Sequence, residues 1–455
     1  MELQTVIIGT GLSSLSFIDK YLEKNKKIDI ISPDKDFLYD SNSANIHLLQ
    51  NLPYHIIKNK NKINNYFESN NITVNKSSKI LGILGFGGLS NYWGMQIDNN
   101  IIDDIKYLSS KTRKDIIDSF FEILRKFKLK GNCKFKNKEY LNNYKVDAFF
   151  NKLLKKKFKD LLVSKPILAY SKKRKLTADL YLRRYINKKK IKIYNLSVQE
   201  IFYNKNKITI KCVDANKKEK VIFAKKVIFG CGTIVTTKII LKFLKIKNEV
   251  KIKHHPRLVS AFFSKRKIQN LEKLQASQLN IRSKSKVNSF IIDLRTGNET
   301  IVESVIRLKK FLMPFKFILN LFKNHLIFSN ILLDSKFSNL FIKVSKNKTY
   351  IYSKKSNLEE ILRKIHISFL RILKQENLVF PFSNNFFGGY GNDFHYFGTI
   401  PMSKNKKKLS VNENCQLNGY PNIYIIDGSV LDFKENKYPV GLVMANARRV
   451  AKIFK

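Results

Sequence analysis

A glycine-containing turn near the start of the chain has the composition of a diphosphate-binding loop. Gly9 and Gly11 follow a short apolar stretch at residues 4–8 and precede a helical pattern that runs to about residue 22. Glycines in such a turn let the backbone approach a pyrophosphate, which then lies at the positive end of the following helix. Ser14 replaces the third glycine of the pattern but is still small. An ordinary structural turn is the alternative for a single match.

A second glycine-rich loop contains residues 85–94. Its adjacent glycines, Gly87 and Gly88, would let a flat ring or a phosphate lie against bare backbone. Trp93, the single tryptophan of the chain, follows within the loop. The alternative is a turn that packs against a core tryptophan.

An acidic residue that binds ribose hydroxyls is expected at the end of the second strand of a dinucleotide fold. The second strand is predicted at residues 28–31, and Ser32 occupies the acidic position. Asp34 is the nearest carboxylate, so we assign the ribose contact to Asp34.

The remaining polar side chains give little sign of metal or thiol chemistry. His47, His55 and His325 have no acidic or cysteine partners at ligand spacing, and no metal site is predicted. His366 is predicted to be structural, on an amphipathic helix. The pair His254-His255 is predicted to be structural, with a catalytic part as the alternative. The four cysteines form no CxxC motif, which suits a reducing cytoplasm.

The elements around these loops predict an α/β fold. Strand, glycine turn, helix and strand follow one another within about 30 residues at the start of the chain. Strand patterns return between residues 191 and 229, and a last strand and helix are predicted at 423–426 and 440–453. Pieces of a dinucleotide fold therefore lie at the start, middle and end of the chain, with other segments inserted between them.

Four sequence blocks resemble, in their residues and in their order along the chain, motifs of the glucose–methanol–choline (GMC) oxidoreductases. This is a family of FAD enzymes that oxidise alcohols and sugars. The blocks are 9–14, 85–94, 227–241 with His255-Pro256-Arg257 after it, and 395–451. The resemblance implies an FAD-binding Rossmann-like domain of GMC type with an inserted antiparallel-sheet substrate domain. The predicted segments are 1–100, 186–258 and 386–455 for FAD binding, 101–185 for a cap, and 259–385 for the substrate domain.

The resemblance also implies roles for individual residues. His395 is similar to the family's active-site histidine, which accepts the substrate's hydroxyl proton while hydride passes to flavin N5. Asp427 is similar to the acid that contacts the ribityl or pyrophosphate part of FAD, and Pro439 begins a helix that faces the flavin pyrimidine ring. The other residues implied to bind the cofactor are Ser90 and Asn91 along the flavin, Val198 at the adenine, and Gly230 and Gly428 in the matched blocks.

One position departs from the family. Tyr438 precedes Pro439, where the family usually has Asn or His. A phenol still donates or accepts a hydrogen bond, so Tyr438 is included as a catalytic residue. The predicted reaction is FAD-dependent oxidation of a C–OH group in an alcohol or sugar-type substrate. The alternative is a flavin-binding protein with altered or lost alcohol oxidation, and oxygen, a quinone and a protein are all candidate electron acceptors.

The net charge of +51 is the dominant feature of the composition. Residues 152–192 alone contain sixteen Lys or Arg and two acidic residues. A solvated lysine-rich surface is the simplest interpretation, and an anionic substrate, a membrane or a polyanion are the alternatives. No nucleic-acid-binding signature is present. The basic, apolar stretch 308–328 is predicted to be a buried or interface helix pair, with contact to an anionic membrane as the alternative. A cytoplasmic location is predicted.

Overall fold

The structure is a computed structural model that describes residues 2–33, 66–91, 93–171, 174–204, 207–269, 271, 276–285, 289–297, 302, 306, 310–345, 348–405 and 407–454. Asp34, His47 and His55 lie outside the described residues.

The described strands are, in chain order, β1 (Glu2–Ile8), β2 (Ile28–Ile31), β3 (Ile72–Val74), β4 (Gln96–Ile97), β5 (Gly131–Phe135), β6 (Lys138–Asn142), β7 (Leu161–Ser164), β8 (Ile167–Leu168), β9 (Tyr170–Ser171), β10 (Arg174–Lys175), β11 (Ile191–Tyr194), β12 (Ser197–Asn204), β13 (Lys207–Val213), β14 (Glu219–Phe229), β15 (Val250–Ile252), β16 (Arg257–Ser264), β17 (Leu279–Ser283), β18 (Phe290–Thr296), β19 (Leu326–Leu333), β20 (Leu340–Ser345), β21 (Lys348–Ser353), β22 (Val379–Phe387), β23 (Gln416–Leu417) and β24 (Tyr420–Ile425).

The described α-helices are α1 (Leu12–Tyr21), α2 (Ser110–Lys126), α3 (Ala148–Lys155), α4 (Ala178–Asn187), α5 (Thr233–Phe243), α6 (Lys316–Leu321), α7 (Leu358–Gln375) and α8 (Val440–Ile453). Within the described part of the chain, no helix is long and apolar enough to cross a lipid bilayer.

The first sheet has eight strands and a parallel centre. Its main path runs β11-β2-β1-β14-β13-β12, and β24 pairs with the end of β14. Strands β11, β2, β1, β14 and β24 are parallel, whereas β12, β13 and β14 form an antiparallel meander. Val6, Ile7 and Ile8 are all buried, as expected for a central parallel strand that is covered on both faces. The α/β fold is therefore confirmed, and this sheet takes its strands from three separate parts of the chain.

Helices α1 and α8 pack together on this sheet. The Ser16 hydroxyl donates a hydrogen bond to the Met444 carbonyl at 2.7 Å. Arg448, which is almost fully buried, pairs with Asp19 at 2.7 Å and with Glu122 at 2.8 Å. A buried guanidinium needs such charge partners, because an unpaired buried charge is strongly destabilising. The first and last helices are thereby fixed to each other.

The second sheet is antiparallel and has six strands in the order β22-β16-β19-β18-β17-β7. Helix α7 packs on one face of it, and His366 of that helix is buried with its Nε2 atom 3.2 Å from the Ser383 hydroxyl. The structural role predicted for His366 is confirmed. The predicted domain boundaries stay a prediction.

The stretch 308–328 differs from the prediction of a buried or interface helix pair. Residues 310–315 form a 3-10 helix that contains Pro314, and the short helix α6 follows with no buried residue. From Leu326 the chain enters β19. The proline ends the regular hydrogen-bonding pattern of any longer helix, and most of the apolar side chains between residues 313 and 322 are exposed.

Candidate active site

A cavity of about 840 Å³ lies between the two sheets. One wall is the carboxyl edge of the first sheet, where ligands bind in open α/β folds. The opposite wall is the face of the second sheet formed by β16, β18, β19 and β22. The volume is near the upper end of the range of about 300–1,000 Å³ for ligand cavities. Predicted site residues that line it are Gly9, Gly11, Gly88, Ser90, Trp93, Val198, Gly230, His395, Asp427, Gly428, Tyr438 and Pro439.

The first glycine loop is shaped by contacts that only glycine allows. Gly9 has a φ of +101°, and a Cβ there would lie 2.6 Å from the Cα of Cys231. Gly11 is the N-cap of helix α1 and provides no side-chain hydrogen bond, so the first N–H groups of the helix are left without a side-chain acceptor at the turn that lines the cavity. Ser14 does not line the cavity; its hydroxyl donates to the Gly230 carbonyl at 3.3 Å and joins the helix to β14.

The second glycine loop forms another part of the wall. Gly88 has a φ of +53°, and a Cβ there would meet no atom within 4 Å, which leaves open space above the backbone. Gly87 lies behind it and donates its N–H to the Thr10 hydroxyl at 3.0 Å. Asn91 also lies behind the wall, where its side-chain amide donates to the Phe86 carbonyl at 2.9 Å. Trp93 lines the cavity while its indole N–H donates to the Leu176 carbonyl at 2.9 Å.

Asp427 lines the cavity but its carboxylate is already hydrogen-bonded. Its two oxygens accept bonds from the Gly232 N–H at 3.0 Å, from the Thr236 hydroxyl at 2.5 Å, and from the N–H and hydroxyl of Ser429 at 3.1 and 2.5 Å. Burial raises the pKa of Asp427, and these donors act against the rise. The residue therefore fixes the loop around Gly230 and Gly428.

Helix α8 begins at the cavity. Pro439 is its N-cap and carries no side-chain cap, and both Pro439 and Val440 line the cavity. The free N–H groups and the helix dipole place partial positive charge there. This is the position that the sequence predicted for the start of the last helix.

His395 lies in the cavity wall with its two ring nitrogens in different environments. Nδ1 is buried, has no hydrogen-bond partner in the described part of the chain, and lies 4.0 Å from a carboxylate oxygen of Asp393. The 21 % of the side chain that is exposed therefore leaves Nε2 as the nitrogen open to the cavity. Burial lowers the pKa of His395 to about 4, despite the opposing charge of Asp393. The imidazole is neutral near pH 7 and can accept a proton.

Asp393 organises the surroundings of His395. One of its oxygens accepts a hydrogen bond from His254 Nδ1 at 2.9 Å, and the other accepts from the backbone N–H groups of His255 and His395 at 2.9 and 3.2 Å. The His255 ring lies edge-on to His395 at 5.8 Å and donates its Nε2–H to the Phe433 carbonyl. His254 and His255 are fully buried and do not line the cavity, which agrees with the structural role predicted for the pair, and both residues build the environment of His395.

His255, Asp393 and His395 also place three potential ligand atoms within 4.8 Å of one another. The sequence prediction of no metal site did not consider this group, because His255 is far in the chain from Asp393 and His395. Both oxygens of Asp393 accept the hydrogen bonds given above, so hydrogen bonding within the site accounts for the arrangement, and we assign no metal to it.

Tyr438 is held by a carboxylate that the sequence did not reveal. Its hydroxyl donates to Asp293 at 2.7 Å, and its ring lies 5.7 Å from the ring of His395. Asp293 is fully buried and also accepts from Asn330 at 3.0 Å and from Arg295 at 3.0 Å. Burial and the charge of Asp293 hold the pKa of Tyr438 well above its usual value. The phenol is therefore a protonated hydrogen-bonding group with a free lone pair.

The second sheet supplies the residues that sequence reasoning missed. Arg257, Asp293, Arg295 and Asn330 line the cavity from β16, β18 and β19. The only available signal was charge or polarity within otherwise apolar strand patterns, as at Asp293 in Phe290–Thr296. That pattern alone does not show which face of a strand covers a cofactor.

FAD, the cofactor that the sequence resemblance implies, fits the residues that line the cavity. The cavity is long enough to join the uncapped start of α1 to the uncapped start of α8, and it passes over the bare backbone of Gly88. Gly232, at the start of α5, also lines the cavity, and a Cβ there would meet no atom within 4 Å. Glycines with open space above them suit a flat ring system and a phosphate pair.

Comparison with known proteins finds a similarity in three-dimensional structure and none in sequence. No family model and no curated protein matches the sequence. Among solved structures, the chain is similar to pyridoxine 4-oxidase from Mesorbium loti, with a TM-score of 0.67 over 99 % of both chains and 11 % sequence identity. The architecture is therefore that of this oxidase, and the GMC-type fold predicted from the sequence is confirmed.

Proposed function

We propose that the protein is an FAD-dependent oxidoreductase that oxidises a C–OH group of a small molecule. The observation that carries the proposal is one continuous cavity that is lined by both glycine loops, by the uncapped starts of α1 and α8, and by His395 and Tyr438. The fold shared with pyridoxine 4-oxidase supports a reaction of the oxidase type. We take the substrate to be an alcohol or a sugar-type molecule.

The residues that would hold FAD follow from the walls of the cavity. The turn at Gly9 and Gly11 and the start of α1 would bind the pyrophosphate, and Val198 would contact the adenine. Gly88, Ser90 and the start of α8 would lie along the ring system. Partial positive charge at the start of α8 would stabilise negative charge on the reduced ring. Once bound, FAD would supply the acceptor for the hydrogen and electron pair that leave the substrate carbon.

The protein's own groups would handle the hydroxyl. Nε2 of neutral His395 accepts the hydroxyl proton as the carbonyl forms, and the negative charge of Asp393 near Nδ1 stabilises the imidazolium. Tyr438 donates its proton to Asp293, and its ring lies 5.7 Å from the ring of His395, so it would position the substrate beside the base by contact without taking the hydroxyl proton. The substrate thus loses one C–H hydrogen with two electrons and one O–H proton, and the alcohol becomes a carbonyl.

Anaerobic spectroscopy of the purified protein tests the proposal. The protein should be yellow, should release FAD and not FMN on denaturation, and should lose its visible flavin absorbance when mixed with a suitable alcohol or sugar in the absence of oxygen. A protein that takes up no FAD on reconstitution would refute the proposal. A protein that binds FAD but is reduced by no alcohol would support the second candidate, a flavin-binding protein with altered or lost alcohol oxidation. The cytoplasmic location stays a prediction, supported by four cysteines that are all free thiols.

A further inference from the structure

Arg257 is a cationic group in the cavity wall that makes no hydrogen bond to any residue in the described part of the chain. It begins β16, lines the cavity, and packs its guanidinium against the Phe394 ring at 5.3 Å. Its Nε–H is buried and has no acceptor among the residues that the structure describes. The side chain has no ion pair there either. A guanidinium has five N–H donors and stays charged in proteins.

The neighbouring charges are already paired with other residues. Asp293 accepts from Arg295, Asn330 and Tyr438. Asp393 accepts from His254 and from backbone N–H groups. Neither carboxylate lies within ion-pair distance of Arg257. Leaving buried donors unpaired is unfavourable, so this arrangement is best explained by an acceptor that arrives with a ligand.

We propose that Arg257 binds an anionic oxygen group on the substrate, a carboxylate or a phosphate. This proposal rests on the oxidoreductase function proposed above and names the class of alcohol that the site accepts. Guanidinium groups bind carboxylate and phosphate with two parallel hydrogen bonds, which fixes orientation as well as position. Arg257 lies beside Phe394, the residue before His395, so the anionic group is held next to the catalytic base. A neutral alcohol would leave Arg257 without a partner.

Binding and reduction experiments separate this proposal from the oxidoreductase function itself. Malonate and inorganic phosphate serve as unreactive probes, and their binding is followed by perturbation of the flavin spectrum. Hydroxy acids, sugar phosphates and the matched neutral polyols serve as substrates for anaerobic flavin reduction. We expect one of the two anions to bind, and the corresponding anionic alcohols to reduce the flavin at lower concentrations than the neutral ones.

The variant Arg257→Gln is compared with the control variant Arg266→Gln. Arg266 is exposed and lies two residues after the end of β16. Arg257→Gln should retain FAD and raise the Kd of the anionic ligand by about 100-fold, which corresponds to the loss of a charge-assisted pair. Reduction by a neutral alcohol should change little, and Arg266→Gln should match the parent. Loss of FAD from Arg257→Gln, or unchanged anion affinity, would overturn the proposal. Reduction by neutral alcohols alone would overturn it and leave the oxidoreductase function standing.

A second and independent observation is an apolar surface at residues 313–322. Phe317, Leu321 and Met313 are 72 %, 64 % and 61 % exposed, and Phe315, Ile318 and Phe322 are about half exposed. A cluster of large exposed apolar side chains of this kind marks an interaction surface in most soluble proteins. We call these six residues the apolar surface.

The apolar surface is anchored to the sheet that covers the cavity. Leu319 packs against a buried cluster formed by Val302, Ile306 and Leu326, and Phe263 of β16 packs against the same cluster. Phe328 belongs to the same group and also lines the cavity. The apolar surface is therefore attached to the substrate-side wall.

We infer that the apolar surface inserts into an anionic lipid surface. Residues 304–333 contain five Lys or Arg and no Asp or Glu, and the whole chain carries +51. Basic residues next to exposed aromatic and aliphatic side chains are the pattern of interfacial membrane binding. A second copy of this chain would bring the same positive charge to the contact, which disfavours self-association there.

Vesicle co-sedimentation tests the inference. The parent protein should bind phosphatidylcholine vesicles that contain phosphatidylglycerol, and should bind pure phosphatidylcholine vesicles at least tenfold more weakly. The double variant Phe317→Glu, Leu321→Glu should lose the binding, whereas Leu141→Glu, at a 65 % exposed position on β6, should keep it. Equal binding by parent and double variant, or binding independent of anionic lipid, would overturn the inference. So would concentration-dependent dimerisation, measured by light scattering, that the double variant abolishes.

Discussion

The proposed reaction uses a histidine that burial keeps neutral. His395 has a buried Nδ1 near Asp393 and an Nε2 open to the cavity. A histidine in water has a pKa of about 6.5, whereas burial lowers the pKa of His395 to about 4. The family resemblance predicted the role of His395 but not this shift of its pKa, which comes from packing by distant segments. The shift makes His395 a base that is available over the whole neutral range.

The pH dependence of flavin reduction follows from this pKa. His395 is neutral above about pH 4 and loses its ability to accept a proton as the pH falls through that value. We expect the rate constant for flavin reduction to be level from about pH 5 to pH 8, and to fall below about pH 4. A rapid pH jump in a stopped-flow instrument gives the rate constant before the protein unfolds. An apparent pKa near 6.5 would contradict the assignment of the lowered pKa to the base.

Stability should also fall at low pH, for a related reason. His366 is buried, and its pKa in the folded protein is lowered to about 4. The unfolded chain therefore binds the proton first, and the stability present above about pH 6.5 is lost as the pH falls toward 4. Urea unfolding at several pH values measures this loss, and His366→Gln should reduce the dependence between these two pH values. If the pH dependence of the free energy of unfolding is unchanged in His366→Gln, groups other than His366 cause the loss of stability.

Tyr438 should contribute to orientation and less to proton transfer. Its hydroxyl donates to Asp293, and its pKa is far too high for it to act as a base near neutral pH. Tyr438→Phe should keep FAD and lower the rate constant for flavin reduction by about tenfold, which corresponds to about 1.4 kcal/mol. Stopped-flow absorbance measures this rate constant. A loss as large as that of His395→Ala would show that the phenol shares the proton transfer.

At the scale of elements, the two glycine loops should respond differently to a methyl group. A Cβ on Gly9 meets Cys231 at 2.6 Å, so Gly9→Ala should destabilise the protein with or without FAD. A Cβ on Gly88 meets no protein atom within 4 Å, so Gly88→Ala should cost only about 1–2 kcal/mol of backbone strain. If FAD lies against Gly88, the variant should bind FAD at least tenfold more weakly. Isothermal titration of the apoprotein measures this affinity, and unchanged affinity would contradict the placement of the ring there.

The elements that the sequence predicted well are those with strong local signals. The strand, glycine turn and helix at Glu2–Tyr21 and the final helix Val440–Ile453 have apolar periods and turn residues that act within a few positions. His254-His255 and Asp293 could not be assigned in this way. Their importance comes from strand pairing that brings β16 and β18 against the loop before His395, and this contact has no local pattern.

The stretch 308–328 shows the opposite error. Its apolar content predicted burial, because apolar side chains are usually inside. Leu319 and Leu326 do pack inward, but most of the apolar side chains between 313 and 322 do not. The composition of a segment gives the number of its apolar residues. It does not show how many of their side chains are covered by neighbouring segments.

For the molecule as a whole, bound FAD should contact both sheets and so stabilise the folded state. The cavity is lined by both sheets and by segments from the beginning, middle and end of the chain. A ligand that binds only the folded state stabilises it by about 2.7 kcal/mol at 100 times its Kd. The midpoint of thermal unfolding should therefore rise with FAD concentration, and FMN, which lacks the adenosine half, should raise it less. Scanning calorimetry of the apoprotein tests this, and equal shifts with the two flavins would contradict adenine binding at Val198.

In the proposed mechanism, His395 removes the hydroxyl proton of an alcohol bound over FAD. The most direct test is the rate constant for anaerobic flavin reduction by the best alcohol, measured for the parent, for His395→Ala and for His325→Ala. His325 serves as the control because its Nδ1 contacts the Ser264 carbonyl and the residue does not line the cavity. We predict that His395→Ala retains FAD and reduces it about 10²–10⁴-fold more slowly, and that His325→Ala matches the parent. If the flavin of His395→Ala is reduced at the parental rate, His395 is not the base that accepts the hydroxyl proton.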